Sequence, residues 1–196
     1  MKKNKIWFCS DPHYGHKNLC LGESTWTDKS GCRNFQTVLE MNDVIVNEIN
    51  SKVGVDDILY LLGDFSFGGI SNIFEFRKKL NVSTIHLVLG NHDEHIQKNK
   101  VFEGQTTQEL FSSINNLLEI TIEKQKIVLC HFPLEEWNFM DNGSWHLHGH
   151  CHGNLPETEF KRIDVGFDAN NFKIWSFEGV KEKMLNKINK KHIKSL

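Results

Sequence analysis

No pair of cysteines in this chain has the C-x-x-C spacing of a zinc or redox site, although five cysteines are present: Cys9, Cys20, Cys32, Cys130 and Cys151. Their odd number also argues against a complete disulfide framework. No apolar run approaches the ~18 residues that a membrane-spanning helix requires. Neither charge is in excess: 23 lysines and arginines stand against 25 aspartates and glutamates, a formal net charge of −2. That balance excludes a globally basic nucleic-acid binder, though not a local basic cleft. The amino terminus, Met1-Lys2-Lys3-Asn4-Lys5-Ile6, runs into a strand-like stretch without the apolar core of a signal peptide. A soluble, reducing, cytoplasmic setting is the expectation. No repeat or low-complexity linker interrupts the chain, so residues 1–196 read as a single domain.

What is present is an ordinary globular composition, 39% apolar and 24% charged, with eleven histidines. Ile6–Cys9 is a short apolar run that ends at Ser10-Asp11. Residues 58–62 are a continuous apolar run, as in a strand buried on both faces, 85–89 repeat the buried-strand pattern, and the two end at Gly63-Asp64 and Gly90-Asn91-His92. Between them Val38, Met41, Ile45, Ile49 and Val53 recur at helical spacing. Ser71 is placed to cap a helix over 72–80, with Ile73, Phe76 and Leu80 on one face. This alternation predicts parallel strands with helical crossovers, each strand delivering a polar motif at its carboxyl end. The second half differs, with short strands expected over 118–123, 125–130, 145–147, 163–165 and 174–177 at hairpin-like spacings. The tight turn before Gln125 predicts an antiparallel pair. Val180, Met184, Leu185 and Ile188 form an apolar stripe ringed by Lys181, Lys183, Lys187, Lys190, Lys191 and Lys194, read as a terminal helix packed on a sheet. Residues 21–35 and 95–116 lack periodicity and are expected to build the specificity surface.

The chemistry lies in five motifs: Asp11-Pro12-His13, Gly63-Asp64, Gly90-Asn91-His92-Asp93, His131, and Gly149-His150-Cys151-His152. Carboxylate, amide oxygen and imidazole are borderline-hard ligands, suited to Mn, Fe, Zn, Co or Ni rather than to a structural thiolate zinc site. Pro12 favours extended backbone, so Asp11 and His13 are expected to alternate onto one face. His150 and His152 are expected to share a face across Cys151 in the same way. Asp64, following a buried strand, would cost free energy unless it is paired or bound to a cation. Any one of these histidines is better explained as a structural residue; the ordered set is not.

In order and spacing, from Asp11 to His152, these motifs resemble the calcineurin-like metallophosphoesterase superfamily. The stretch Ser10-Asp11-Pro12-His13-Tyr14-Gly15-His16 resembles its small bacterial and phage-associated branch. The resemblance implies an α/β fold: a β-sandwich of two mixed sheets flanked by helices, layered α/β/β/α. It implies two divalent transition-metal ions, manganese first and Fe, Zn, Co or Ni as alternatives. Asp11, His13, Asp64 and His152 would hold one ion, and Asp64, Asn91, His131 and His150 the other, with Asp64 bridging. It also implies attack on phosphorus by a metal-bridging hydroxide, with His92 assisting the leaving oxygen. Asp93, next in sequence, is expected to orient that imidazole. His16 and Arg33 are candidate substrate contacts, since an arginine fork matches phosphate oxygens; for each, a surface or hydrogen-bonded core residue is the alternative. His148 also lies within reach of the motifs by sequence. Cys9, Cys130 and Cys151 are read as small buried hydrophobes.

After Gly63-Asp64 comes Phe65-Ser66-Phe67-Gly68-Gly69, without the Asp-Arg-Gly of the serine/threonine protein phosphatases, and Asp93 stands where those enzymes carry glutamate. The first reading is therefore a phosphodiesterase acting on a nucleotide or another small phosphate ester. Phosphomonoesterase or phosphoprotein phosphatase activity is the alternative within the class. A metal-binding scaffold without turnover is the alternative outside it. A nuclease would need a basic groove, and the only basic run is the terminal lysines.

Overall fold

β1 (Ile6–Cys9), β2 (Ile58–Leu61) and β3 (Thr84–Val88) lie parallel and side by side in the computed structural model, which describes residues 4–189. α1 (Val38–Lys52) and α2 (Ile70–Lys79) connect them, as the apolar periodicity predicts. Side chains alternate along each strand and divide the core in two. Leu59, Leu61, Ile85 and Leu87 pack against Met41, Ile45 and Ile49 of α1. Phe8, Leu62 and Val88 point the other way, into a core shared with the second sheet. Both faces of this sheet are covered, which is why its strands are largely apolar. Each fully buried aliphatic side chain contributes about 1.5–3 kcal/mol.

Helix ends follow local chemistry. Thr37 caps α1, its hydroxyl accepting from the Glu40 N–H at 3.1 Å. Ser71 does not cap α2. The N-cap is Gly69, at φ 119°, after Gly68 at φ 90°. Two residues in conformations open to glycine turn the chain from Phe67 into the helix earlier than a serine cap would.

The stretch without periodicity holds α3 (Glu94–Gln97), β4 (Val101–Phe102), β5 (Gln105–Thr106) and β6 (Ser113–Asn115). β6 joins the first sheet parallel to β3. With Ile114 alone between Ser113 and Asn115, it is too short to show a period. The second sheet contains β7 (Leu117–Ile122), β8 (Gln125–Cys130), β9 (Trp145–His148) and β10 (Arg162–Asp164), in the order β10-β9-β8-β7. β7 and β8 form the expected antiparallel hairpin, turning at Glu123 and Lys124, both with positive φ. The expectation of further hairpins fails, because β8, β9 and β10 are parallel. The segment between β8 and β9 crosses the outer face of the sheet, where Trp137 and Met140 pack on Val128.

β11 (Trp175–Ser176) leaves the second half altogether and pairs antiparallel with β1 at the edge of the first sheet. Both sheets are thus mixed, and they face each other. Ser176 then caps α4 (Phe177–Leu185), whose Phe177, Val180 and Met184 close the core between the sheets. The expected stripe ends there: Leu185 and Ile188 are exposed, and Ile188 makes an isolated bridge to Phe160. Lys190, Lys191 and Lys194 lie outside the described residues. Among the described residues no helix is long and apolar enough to cross a membrane.

Candidate metal centre

The parallel register of β1, β2 and β3 brings their carboxyl ends together, and Asp11, Asp64 and Asn91 follow directly. His131 follows β8 and His150 and His152 follow β9 in the facing sheet, so both sheets drop ligands into one cleft. Glycines allow the close approach. A Cβ on Gly90 would strike the Asp64 carboxylate, and one on Gly149 would strike Ser10 Oγ and Asp11 Oδ2.

The ligand residues converge by a route that strand alternation does not describe. Asp11, His13, Asp64, His150 and His152 have φ of 56°, 49°, 53°, 69° and 49°, so none of them is extended. Left-handed backbone at non-glycine residues is uncommon and costs on the order of 1–3 kcal/mol each, persisting where surroundings impose it. Here the surroundings are hydrogen bonds between the loops. The Asp11 N–H donates to Gly63 O at 3.1 Å, His13 N–H to Asp64 O at 3.0 Å, and His150 N–H to Asp11 Oδ2 at 3.0 Å. The expectation that Pro12 and Cys151 act as spacers along extended strands is therefore corrected.

All seven expected ligands meet. Asp64 Oδ2 lies 3.5 Å from His13 Nε2 and 3.6 Å from His131 Nε2. Asp11 Oδ1 is 3.9 Å from His13 Nε2 and 3.8 Å from His152 Nε2. Asn91 Oδ1 is 3.0 Å from both His131 Nε2 and His150 Nδ1. Donor atoms of Asp11, His13 and His152 form one group within metal-binding range, and those of Asp11, Asp64 and His131 form another. Asp11 is fully buried, yet its Oδ1 has no hydrogen-bond partner, and burial pushes its carboxyl up to about 6. An unpartnered buried carboxylate oxygen is expensive, and a cation between these groups answers that cost. Burial also lowers the affinity of His13 and His150 for protons, which keeps the rings neutral as metal ligands must be.

The back of the centre is braced. His131 Nδ1 sits 2.7 Å from Leu62 O, which turns Nε2 into the cleft. His152 Nδ1 sits 2.7 Å from Asp168 Oδ2. Asp168 also accepts from Arg33, Oδ1 from Nε at 2.9 Å and Oδ2 from Nη2 at 2.7 Å. The same guanidinium donates to the carbonyls of Asp11, at 2.7 Å, and Pro12, at 3.0 Å. Burial opposes ionisation of Asp168, but His152 and Arg33 together hold its carboxyl down to about 2. For His152 burial favours the neutral ring, but Asp168 and Asp11 outweigh it and raise its proton affinity. Sequence reasoning missed Asp168: Asp168-Ala169-Asn170 is ordinary turn composition, and only the fold sets it behind a ligand.

Arg33 is only 4% exposed, with its fork committed behind the ligand loop, a placement that does not fit the expected substrate contact. His16 is also buried. Its Nδ1 accepts from the Leu19 N–H at 3.1 Å, and burial lowers its proton affinity to about 4. Asp93 does not orient His92. Its Oδ2 accepts from the N–H of Asp64, at 2.9 Å, and of Gly90, at 2.8 Å, while Oδ1 accepts from Phe65 N–H at 2.9 Å. It holds two ligand loops in register instead. His92 is exposed, and its N–H donates to Asp64 Oδ1 at 2.9 Å. Its ring lies 5.5 Å from that of His13. His148 is buried outside the cluster, its Nδ1 2.9 Å from Gly149 O. Cys9 and Cys130 are buried, Cys151 is partly exposed, and all five cysteines are unpaired.

Comparison with known proteins gives a consistent result. Residues 4–190 match the family model described as calcineurin-like phosphoesterase. An uncharacterized protein of Methanocaldococcus jannaschii is 30% identical over 181 residues, covering 88% of this chain and 87% of that protein. The gene 66 protein of Mycobacterium phage L5 is 25% identical over 191 residues, covering 85% and 87%. Among solved structures, a protein of unknown function from Aquifex aeolicus superposes with a TM-score of 0.67 at 19% identity, covering 92% of this chain and all of that one.

Proposed function

The chain belongs to the calcineurin-like phosphoesterase family and is a metal-dependent hydrolase of phosphoric esters, and on that footing we propose that it is a binuclear phosphodiesterase. Its substrate is a small diester, with a nucleotide first in line. One observation carries the binuclear reading. Asp64 Oδ2 stands between His13 Nε2 and His131 Nε2, at 3.5 and 3.6 Å, so one carboxylate faces both histidine groups. Asp11, His13 and His152 complete one ligand set around it, and Asn91, His131 and His150 the other. Hard oxygen and imidazole donors without thiolate favour manganese, with Fe, Zn, Co or Ni as alternatives. When bound, the two ions supply Lewis acidity toward the phosphoryl oxygens and acidify water at neutral pH.

The protein's own groups do the remainder. Neutral Asn91 limits the negative charge of the centre, which favours an anionic ester. His92 is exposed beside Asn91 and tied through its N–H to Asp64, which supports its role as donor of a proton to the departing oxygen. Asp93 holds the Asp64 and Gly90 loops together, and Arg33 with Asp168 holds the His152 side. The unpaired cysteines support a cytoplasmic location, and the 196 residues are read as one domain.

The experiment is elemental analysis of manganese-reconstituted protein, with hydrolysis of bis(p-nitrophenyl) phosphate followed before and after chelation. About two ions per chain, and turnover lost to chelator and restored by metal, is the expected result. Full activity with one ion would overturn the binuclear reading, and bound metal without turnover of any ester would leave a scaffold.

A further inference from the structure

Large aromatic side chains normally sit inside a protein, yet three surround this cleft in the open: Trp26 is 40% exposed, Phe67 39% and Phe132 44%. Two of them are linked through one buried ring. His16 lies 3.8 Å from Phe67 and 5.8 Å from Trp26, centre to centre. Phe67 continues the series to His92, whose ring lies 5.4 Å away. Trp26 comes from the 21–35 segment and Phe67 from the turn after Asp64, so long-range packing assembles this patch. Beside it opens a cavity of about 250 Å³, lined by Phe67, Gly68, Gly69, Asn91 and His92 among others. The cavity therefore starts at a metal-ligand residue and at the group placed to serve the leaving oxygen. Its volume falls below the ~300–1,000 Å³ of drug-sized sites, so it suits one ring system rather than an extended chain.

We propose that Phe67, supported by His16 and flanked by Trp26, is the specificity residue of a leaving-group subsite that selects a planar aromatic ring, a nucleobase in a natural substrate. This rests on the phosphodiesterase reading of the centre. Aromatic rings stack on every base because each has a π-face, so the subsite recognises the class of group and not one sequence or base. Gly69 faces open space, and Phe67 supplies the face.

The test compares a nucleoside 5′-phosphodiester with its abasic ribose counterpart, which has the same scissile bond but no base. Manganese-loaded wild type should show a KM about ten-fold lower for the base-bearing ester, the scale of one base stacked on an aromatic ring. Phe67→Leu should erase that ratio and Phe67→Trp should keep it, with metal content and melting temperature checked in both. Trp26→Ala should shrink the ratio without abolishing it. Equal KM values in wild type, or a ratio that survives Phe67→Leu, would overturn the subsite and leave the phosphodiesterase reading intact. If wild type hydrolyses neither ester, the activity reading falls. Calorimetric binding of a nucleoside monophosphate against ribose 5-phosphate, in wild type and Phe67→Leu, then decides the subsite alone: a Phe67-dependent preference upholds it and equal affinities overturn it.

Discussion

Asp168 Oδ2 lies 2.7 Å from His152 Nδ1, and the same carboxylate is gripped by Arg33, which also donates to the backbone carbonyls of Asp11 and Pro12. A single, partly buried ion pair thus ties together the loops that carry Asp11, His13 and His152. In the second group His131 is oriented by a backbone carbonyl, Leu62 O, and the Asp93 carboxylate ties the Asp64 and Gly90 loops together.

Removal of Asp168 is expected to weaken one ion selectively. In Asp168→Ala, affinity at the His152 side should fall by ~10–100-fold, the usual effect of losing an outer-shell partner, while the other ion is retained. Asp168→Asn keeps an acceptor for the His152 ring and should lose less. Calorimetric titration of metal-free protein with Mn resolves the two sites. Equal weakening of both would show that the brace serves the fold as a whole.

Asp64 should be the most damaging ligand to replace, because its carboxylate faces both histidine groups. Asp64→Asn is expected to lose metal and turnover together, whereas His152→Ala should spare one ion. A variant that keeps both ions and near-normal turnover would show that Asp64 does not bridge.

His92→Asn separates chemistry from metal binding. Metal content should change little, since the ring lies outside both ligand groups, while the rate falls by ~10²–10⁴ for alkoxide leaving groups. A p-nitrophenolate leaving group has little need of a proton and should suffer less. The measurement is a leaving-group series in both proteins, and a uniform loss across it would point to an electrostatic role.

The buried ring of His146 should impose an acid limit on stability. Burial lowers its proton affinity to about 3. Its geometry explains why the proton is refused: Nδ1 lies 3.0 Å from Val128 O, and Nε2 accepts from Leu134 N–H at 3.0 Å. Protonation would set two N–H groups face to face, with His148 and Arg162 adding positive charge nearby. The folded value lies below the unfolded one, near 6.5, so this contribution is complete above about pH 6.5. It is lost as pH falls toward 3, by at most about 1.4 kcal/mol per pH unit. Denaturant unfolding at pH 7.5, 6 and 5, with chelator present throughout, should show a shallower acid slope in His146→Gln. Parallel slopes would assign the acid sensitivity to other groups.

The sequence by itself determined the candidate ligands, their order, and the buried strands that precede them. Those signals are local: a largely apolar run of strand length, then, at Asp64 and Asn91, a glycine before the candidate ligand. It also marked α1, whose stripe from Val38 to Val53 needs no distant partner to be seen. Only the tertiary structure decided how the ligands are aimed. Asp11, His13, Asp64, His150 and His152 take left-handed backbone because hydrogen bonds from other loops hold them there, and no residue type announces that conformation at a non-glycine position. It likewise decided that Asp93 serves the backbone and not His92, that Arg33 is buried against Asp168 and the Asp11 and Pro12 carbonyls, and that Asp168 stands behind His152. Strand direction in the second sheet followed the same logic. The short span between β7 and β8 by itself calls for an antiparallel pair, whereas the parallel pairing of β8, β9 and β10 depends on how long segments cross the outer face and pack on Val128, Trp137 and Met140. Composition and period report what a segment would do alone; pairing across tens of residues is settled by the surfaces that must be buried together.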